Sequence, residues 1–72
     1  MTEPNWVLRL LNERIELAEK LSKLNAVLVN EEFCVKVGAK HLELLLDQRM
    51  LMEELLEVLN ERVELLTGKT DA

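Results

Sequence analysis

The chain has 72 residues, 49% of them hydrophobic, and a formal net charge of −5 from 14 acidic and 9 basic side chains. A domain this small buries only about 60% of its unfolded surface, so without disulfides it usually needs other chains for stability. The acidic balance argues against binding of duplex nucleic acid through its phosphates, which requires a basic stripe.

The first predicted element is a long helix over residues 4–29. Thr2 can cap it, and Pro4 is tolerated in the first turn because its missing N–H has no partner there. A coiled-coil seam with Arg14 at one position is formed by Val7, Leu10, Leu17, Leu21, Leu24 and Leu28. A second apolar stripe lies about 110° away and contains Leu8, Leu11, Ile15 and Ala18. The apolar surface is therefore wider than one neighbouring helix can cover.

Residues 30–38 are predicted to form a linker that contains a short helical turn. Asn30 can cap this turn, Phe33 and Val37 close one end of the hairpin, and Gly38 is a natural residue to end the turn. A second helix is predicted over residues 39–67. Gly68 stops it in a left-handed conformation, and residues 68–72 form a tail.

The second helix carries one broad apolar face with Gln48 and Arg62 in its middle. This face contains Leu44, Leu45, Leu51, Met52, Leu55, Val58, Leu59, Val63, Leu65 and Leu66. Leu42, Leu46 and Met50 form another stripe away from it. Because both helices are apolar on more than one side, we predict an all-α antiparallel two-helix hairpin, a single domain of residues 1–72. We further predict that it assembles into a homo-oligomeric helical bundle, for example a tetramer.

Catalytic chemistry is not expected from this chain. Its single His and single Cys, His41 and Cys34, give no nucleophile with a base and an orienting group, and no metal-ligand cluster. We therefore expect no catalytic residue, no metal and no cofactor. No apolar run approaches the roughly 20 residues that span a bilayer, and the N-terminus lacks the basic region of a signal peptide. One cysteine is typical of a reducing compartment, so we expect a cytoplasmic protein that does not contact membranes.

Three polar residues interrupt the apolar faces: Arg14, Gln48 and Arg62. Burying an unpaired charge costs several kcal/mol, so the two arginines require partners. One hypothesis is a register device, in which Arg14 or Arg62 pairs with a carboxylate such as Glu13, Glu61 or one of a neighbouring chain. The residues alone favour this first hypothesis.

The other hypothesis is a ligand pocket at a subunit boundary. In an antiparallel hairpin that bends near Val35, Arg62 lies level with the first turns of the first helix, beside Trp6 and Arg9. Guanidinium groups can bind phosphates bidentately, and an indole ring can stack on a base. This hypothesis predicts an anion pocket at one end of the hairpin.

The order of residues adds a resemblance to a known group of proteins. The positions that carry it are Arg9, Glu13, Glu16, Leu17, Lys20, Lys23, Leu24, Leu28 and Phe33, followed by Leu44, Leu45, Gln48, Met52, Leu59, Arg62 and Val63. In this order the chain resembles short two-helix accessory proteins of tailed phages, including crAss-like phages. It departs from them at Leu55, where the group commonly has a base-stacking Tyr, and at Arg14, where an aromatic is frequent. The linker also has one extra residue.

The resemblance implies an immune-evasion role, because similar small helical phage proteins include sponges that sequester the cyclic dinucleotides of bacterial CBASS defence. The implied function is non-enzymatic binding of a signal such as 3′,3′-cGAMP in the host cytoplasm. Trp6 would stack on a base, Arg9 and Arg62 would contact phosphates, Gln48 would contact a base edge, and Arg14 would assist or fix register. The alternative is a helical homo-oligomeric protein–protein interaction module with no small-molecule ligand.

Overall fold

A computed structural model describes residues 5–68 and forms a two-helix hairpin. Helix α1 runs over Asn5–Leu28 and helix α2 over Glu31–Thr67, and these described residues contain no strand. The predicted all-α class is therefore confirmed. The predicted capping residue Thr2 and residues 69–72 of the predicted tail lie outside the described residues.

The turn between the helices is held by Asn30. Its backbone is extended (φ −88°, ψ 110°), and its Oδ1 accepts a hydrogen bond of 3.1 Å from the backbone N–H of Phe33. Glu31 and Glu32 follow in the first turn of α2, where carboxylates favour the positive end of the helix dipole. The predicted capping role of Asn30 is confirmed, and α2 begins at the next residue, Glu31.

Gly38 interrupts α2 about two turns after its start. Its backbone (φ 85°, ψ 164°) occupies a region that is essentially restricted to glycine, so 31–37 and 39–67 are two helical runs separated by a kink. A Cβ atom at this position would meet nothing within 4 Å. The requirement for glycine therefore comes from the backbone conformation, and the chain changes direction here before the long run of α2.

We expect Gly38→Ala to lower the free energy of unfolding by about 1–3 kcal/mol, because alanine must either adopt this conformation or straighten the kink. Urea denaturation followed by circular dichroism measures the change. Gly68→Ala is the matched control, since Gly68 is left-handed (φ 72°, ψ 19°) at the end of α2, where the cost is about 1 kcal/mol. A Gly38→Ala variant as stable as the wild type would show that the kink is not required.

The helices pack through one seam of heptad-spaced side chains. On α1 the seam contains Val7, Leu10, Leu21 and Leu24, which are buried, and Leu17 and Leu28, which are half-buried. On α2 it contains the buried Leu59 and Val63 and the half-buried Leu42, Leu45, Met52 and Leu56. The predicted α1 seam is thus confirmed. Leu10 clusters with Leu59 and Val63, so the start of α1 lies against the end of α2 and the helices are antiparallel.

The broad apolar face predicted for the second helix is divided by this packing. Only Leu45, Met52, Leu59 and Val63 lie at the seam, and Leu42, predicted to lie away from that face, is half-buried beside them. The remaining six side chains are between 43% and 69% exposed: Leu44, Leu51, Leu55, Val58, Leu65 and Leu66. The molecule measures 51 × 24 × 15 Å, so it is one helix thick, and one neighbouring helix covers only part of a wide face.

Candidate functional site

A shallow depression lies between the two helices near the first turns of α1. It is lined by Trp6, Arg9, Leu10 and Glu13 of α1 and by Arg62 of α2, and its volume is about 200 Å³. We refer to it as the Trp6–Arg62 pocket. The structure therefore brings together three of the five predicted binding residues, Trp6, Arg9 and Arg62.

The helical repeat explains why these side chains converge. Trp6, Arg9 and Glu13 are spaced by three and four residues, which places them on one face of α1. Leu10 is 3% exposed and anchors this part of α1 against Leu59 and Val63. Arg62 immediately precedes Val63, so the same contact fixes it beside α1. The pocket is thus positioned by two helices and their core.

The pocket combines positive charge with an exposed aromatic ring. Arg9 and Arg62 supply two guanidinium groups and Glu13 one carboxylate, a local balance of +1 in an acidic chain. Trp6 is 54% exposed, so its ring is available for stacking, while the buried Leu10 forms an apolar floor. This composition suits a ligand that carries both phosphate and an aromatic base.

The size of the pocket limits what one hairpin can do. Its volume of about 200 Å³ falls below the roughly 300–1,000 Å³ that is usual for sites enclosing a small molecule. One hairpin therefore offers one wall of a site. A ligand as large as a dinucleotide would contact this wall and extend beyond it.

The other two predicted residues do not line this pocket. Arg14 is half-buried at the seam position after Glu13. Gln48 is exposed and donates from Nε2 to the Sδ of Met52 at 3.8 Å. It precedes Arg62 by 14 residues, which corresponds to about 21 Å along a helix. Within one hairpin, Gln48 and Arg62 therefore cannot contact the same small ligand group.

Leu10 and Glu13 line the pocket without having been predicted as ligand-binding residues, and of the two only Glu13 is charged. Glu13 was predicted only as an ion-pair partner of Arg14 or Arg62. Its spacing of four residues from Arg9 and seven from Trp6 places it on the same face of α1 as those two residues. A carboxylate beside two guanidiniums can hold them in position, but it opposes the approach of a phosphate. The negative charge of Glu13 therefore weakens the attraction of this pocket for an anion.

Two further depressions occur among the described residues. One, of about 210 Å³, adjoins the Trp6–Arg62 pocket and is lined by Glu13, Glu16, Leu17, Lys20, Leu55 and Leu59. The other, of about 480 Å³, lies after the turn and is lined by Glu31, Glu32, Val35 and Lys36. Carboxylates outnumber ammonium groups in both, which makes them less suited to an anion than the Trp6–Arg62 pocket.

Residues 5–68 contain neither a metal-ligand cluster nor a membrane-spanning helix. In that range no group of three or more His, Cys, Asp and Glu side chains is arranged to hold a metal ion. Neither helix, as far as it is described, combines the length and apolar character needed to cross a bilayer.

The chain was compared with families, curated proteins and solved structures. A family model described as Sequestin matches residues 4–65, a range that includes all five residues lining the Trp6–Arg62 pocket. No curated protein and no solved structure matches the chain.

Proposed function

The chain belongs to the Sequestin family, and we propose that it is a non-enzymatic sponge for a small anionic nucleotide signal. The name of the family denotes sequestration, which is a function of a binding protein and not of an enzyme. The ligand we propose is a cyclic dinucleotide such as 3′,3′-cGAMP, the signal of CBASS defence. The sponge would act for a phage in the cytoplasm of its bacterial host.

The observation that carries this proposal is the convergence of Arg9 and Arg62, from two different helices, beside the exposed ring of Trp6. A cyclic dinucleotide presents two phosphates and two bases on a compact ring. Two guanidinium forks match the phosphates, and the indole provides a stacking surface for one base. Both helices are held by the buried seam, so the backbone positions of these three residues are fixed before the ligand arrives, and binding must order only their exposed side chains.

A sponge acts by mass action. Each bound signal molecule is unavailable to the host effector, so affinity and copy number decide the outcome and turnover does not. A short chain suits this role because many copies can be made quickly. We propose that the copies form a homo-oligomer such as a tetramer, since a single hairpin leaves large apolar side chains such as Leu51 and Leu65 60% and 69% exposed.

The test is a thermal melt with and without 3′,3′-cGAMP. A ligand at about 100 times its Kd adds about 2.7 kcal/mol to the stability. For a domain of this size that corresponds to a rise in Tm of roughly 10 °C or more. The linear dinucleotide and ADP serve as controls for recognition of the ring, and mass spectrometry of the recovered ligand tests that it stays intact.

The absence of any shift with cyclic di- or trinucleotides would contradict the proposal. An equal rise with ADP would show that the pocket binds nucleotide phosphates without distinguishing the cyclic ring. The alternative function, a helical protein–protein interaction module, is favoured by one observation: Leu44, Leu51 and Val58 form an exposed apolar stripe on α2. This alternative function would remain if no nucleotide binds to the protein.

A further inference from the structure

The exposed side of α2 is symmetric, to within half a residue, about the level of Leu55. One column, with a spacing of seven residues, contains Leu44, Leu51, Val58 and Leu65, which are 49–69% exposed. The adjacent column contains Gln48, Leu55 and Arg62, all exposed, with Leu55 midway between the two polar residues. Reversing the helix about Leu55 therefore places apolar residues on apolar residues and exchanges Gln48 with Arg62.

A second symmetric column lies on α1, on the same side of the hairpin. It contains two acidic residues followed by two basic ones, Glu13, Glu16, Lys20 and Lys23, all exposed and centred on Ala18. Glu13, Glu16 and Lys20 line depressions that also contain Leu55 or Arg62, which fixes the side on which these three residues lie, and Lys23 follows one turn after Lys20. Reversal about Ala18 places each acid opposite a base.

The two centres lie at the same level of the hairpin. Leu10 packs in one cluster with Leu59 and Val63, so eight residues toward the turn from each place Ala18 level with the turn of α2 at residues 51–55, which includes Leu55. Leu17 and Leu55 line one depression, which agrees with this register. Two independent patterns, one apolar and one charged, therefore share a single symmetry centre.

We propose that two copies pair through this side about a two-fold axis at the level of Ala18 and Leu55, with their α2 helices antiparallel. Leu51 then lies against Val58 of the partner subunit, and Glu16 lies opposite Lys20 of the partner subunit. Such an isologous contact needs one self-complementary surface, which these columns provide. The contact face is about 100° around α2 from the seam, so the four helices form a bundle.

This pairing also completes the Trp6–Arg62 pocket. The ligand of the completed pocket rests on the proposed function. Gln48 of the partner subunit lies level with Arg62 and adds an amide to the site. Lys23 of the partner subunit lies level with Glu13 and neutralises its carboxylate, which raises the local balance from +1 to +2. The wall missing from the small pocket of one hairpin is thus supplied by the second copy, and each dimer has two such sites.

Disulfide trapping tests the pairing without any ligand. In a Cys34→Ser background, Leu55→Cys should form a disulfide with itself, since the axis brings the two Cα atoms within the roughly 7 Å that a disulfide requires. Leu65→Cys is the matched control, from the same exposed face. Its two copies would lie about 30 Å apart, so it should not cross-link with itself but should cross-link with Leu44→Cys. A Leu65→Cys homodimer, or no cross-link through Leu55→Cys, overturns the pairing.

Mixing of variants tests the shared site. Gln48→Ala and Arg62→Ala should each weaken binding of 3′,3′-cGAMP tenfold or more when pure. Co-refolded in equal amounts, they should regain about a quarter of the wild-type sites, because each mixed dimer contains one site with neither substitution. Titration calorimetry gives the number of sites. No regain, or an unaffected Gln48→Ala variant, rejects the shared site, whereas a wild type that binds no nucleotide rejects the proposed function and leaves the pairing to the cross-links.

Discussion

Replacing Arg62 with alanine should weaken cyclic dinucleotide binding by roughly 10- to 100-fold while the chain stays folded and associated. A charge-assisted, bidentate contact between guanidinium and phosphate contributes about 1.5–3 kcal/mol, and each 1.4 kcal/mol is a factor of ten in affinity. Arg62 is exposed in the hairpin and lies beside Trp6 and Arg9. Its loss removes one of the two positive groups that we propose contact phosphates. Titration calorimetry gives the affinity, and a sizing column reports the association.

Two variants separate charge from geometry. Arg62→Lys keeps the charge but lacks the planar fork, so its affinity should fall between those of the wild type and of Arg62→Ala. Arg49→Ala removes the same charge from the same helix, but Arg49 is half-buried and does not line the pocket, so binding should be unchanged. If Arg62→Ala instead breaks the oligomer apart, Arg62 acts as a register device, as the first sequence hypothesis held.

Leu10→Ala should unfold the hairpin or bring it close to unfolding at room temperature. Leu10 is only 3% exposed and packs with Leu59 and Val63 in the core cluster. Truncating such a side chain costs about 2–5 kcal/mol. A single core in a chain this short rarely supplies more than about 3–5 kcal/mol, so the loss consumes most of the stability. Urea denaturation followed by circular dichroism at 222 nm (the helix band) measures it, with the chain concentration held constant.

Leu8→Ala is the matched control for this experiment. It is the same substitution two residues away, but Leu8 is 46% exposed and lies off the seam. A surface site of this kind should cost about 1 kcal/mol or less. Equal destabilisation by the two variants would show that the seam does not carry the stability of the hairpin.

The candidate pocket was partly predictable from the sequence. The hairpin register alone placed Arg62 beside Trp6 and Arg9, because an antiparallel turn at a known position fixes which residues are level. Gln48 was singled out because it interrupts the apolar face of the second helix, and its contact with a base edge came from the resemblance. It lies about 21 Å from Arg62 along the helix. The predicted helix over residues 39–67 already implies this separation, so a role for Gln48 in the site of Arg62 requires a second chain.

Local chemistry made several structural features predictable. Asn30 caps α2 through its side chain, as expected of a residue whose oxygen can accept from the third N–H of a helix. Gly68 ends α2 in the left-handed conformation, and its N–H donates to the carbonyl of Glu64. Each of these features depends on neighbours within four residues, so the sequence contains all the information that they require.

The sequence by itself determined that this chain forms two amphipathic helices and which α1 side chains form the seam. These follow from the 3.6-residue repeat and from the capping residues, which act locally. Only the tertiary structure decided which part of the broad α2 face is covered, burying Leu59 and Val63 and leaving Leu51 and Val58 exposed. The physical reason is that one helix covers only part of a wide apolar face, so packing against α1 selects a single strip, and the register of that strip determines which charged groups share a pocket.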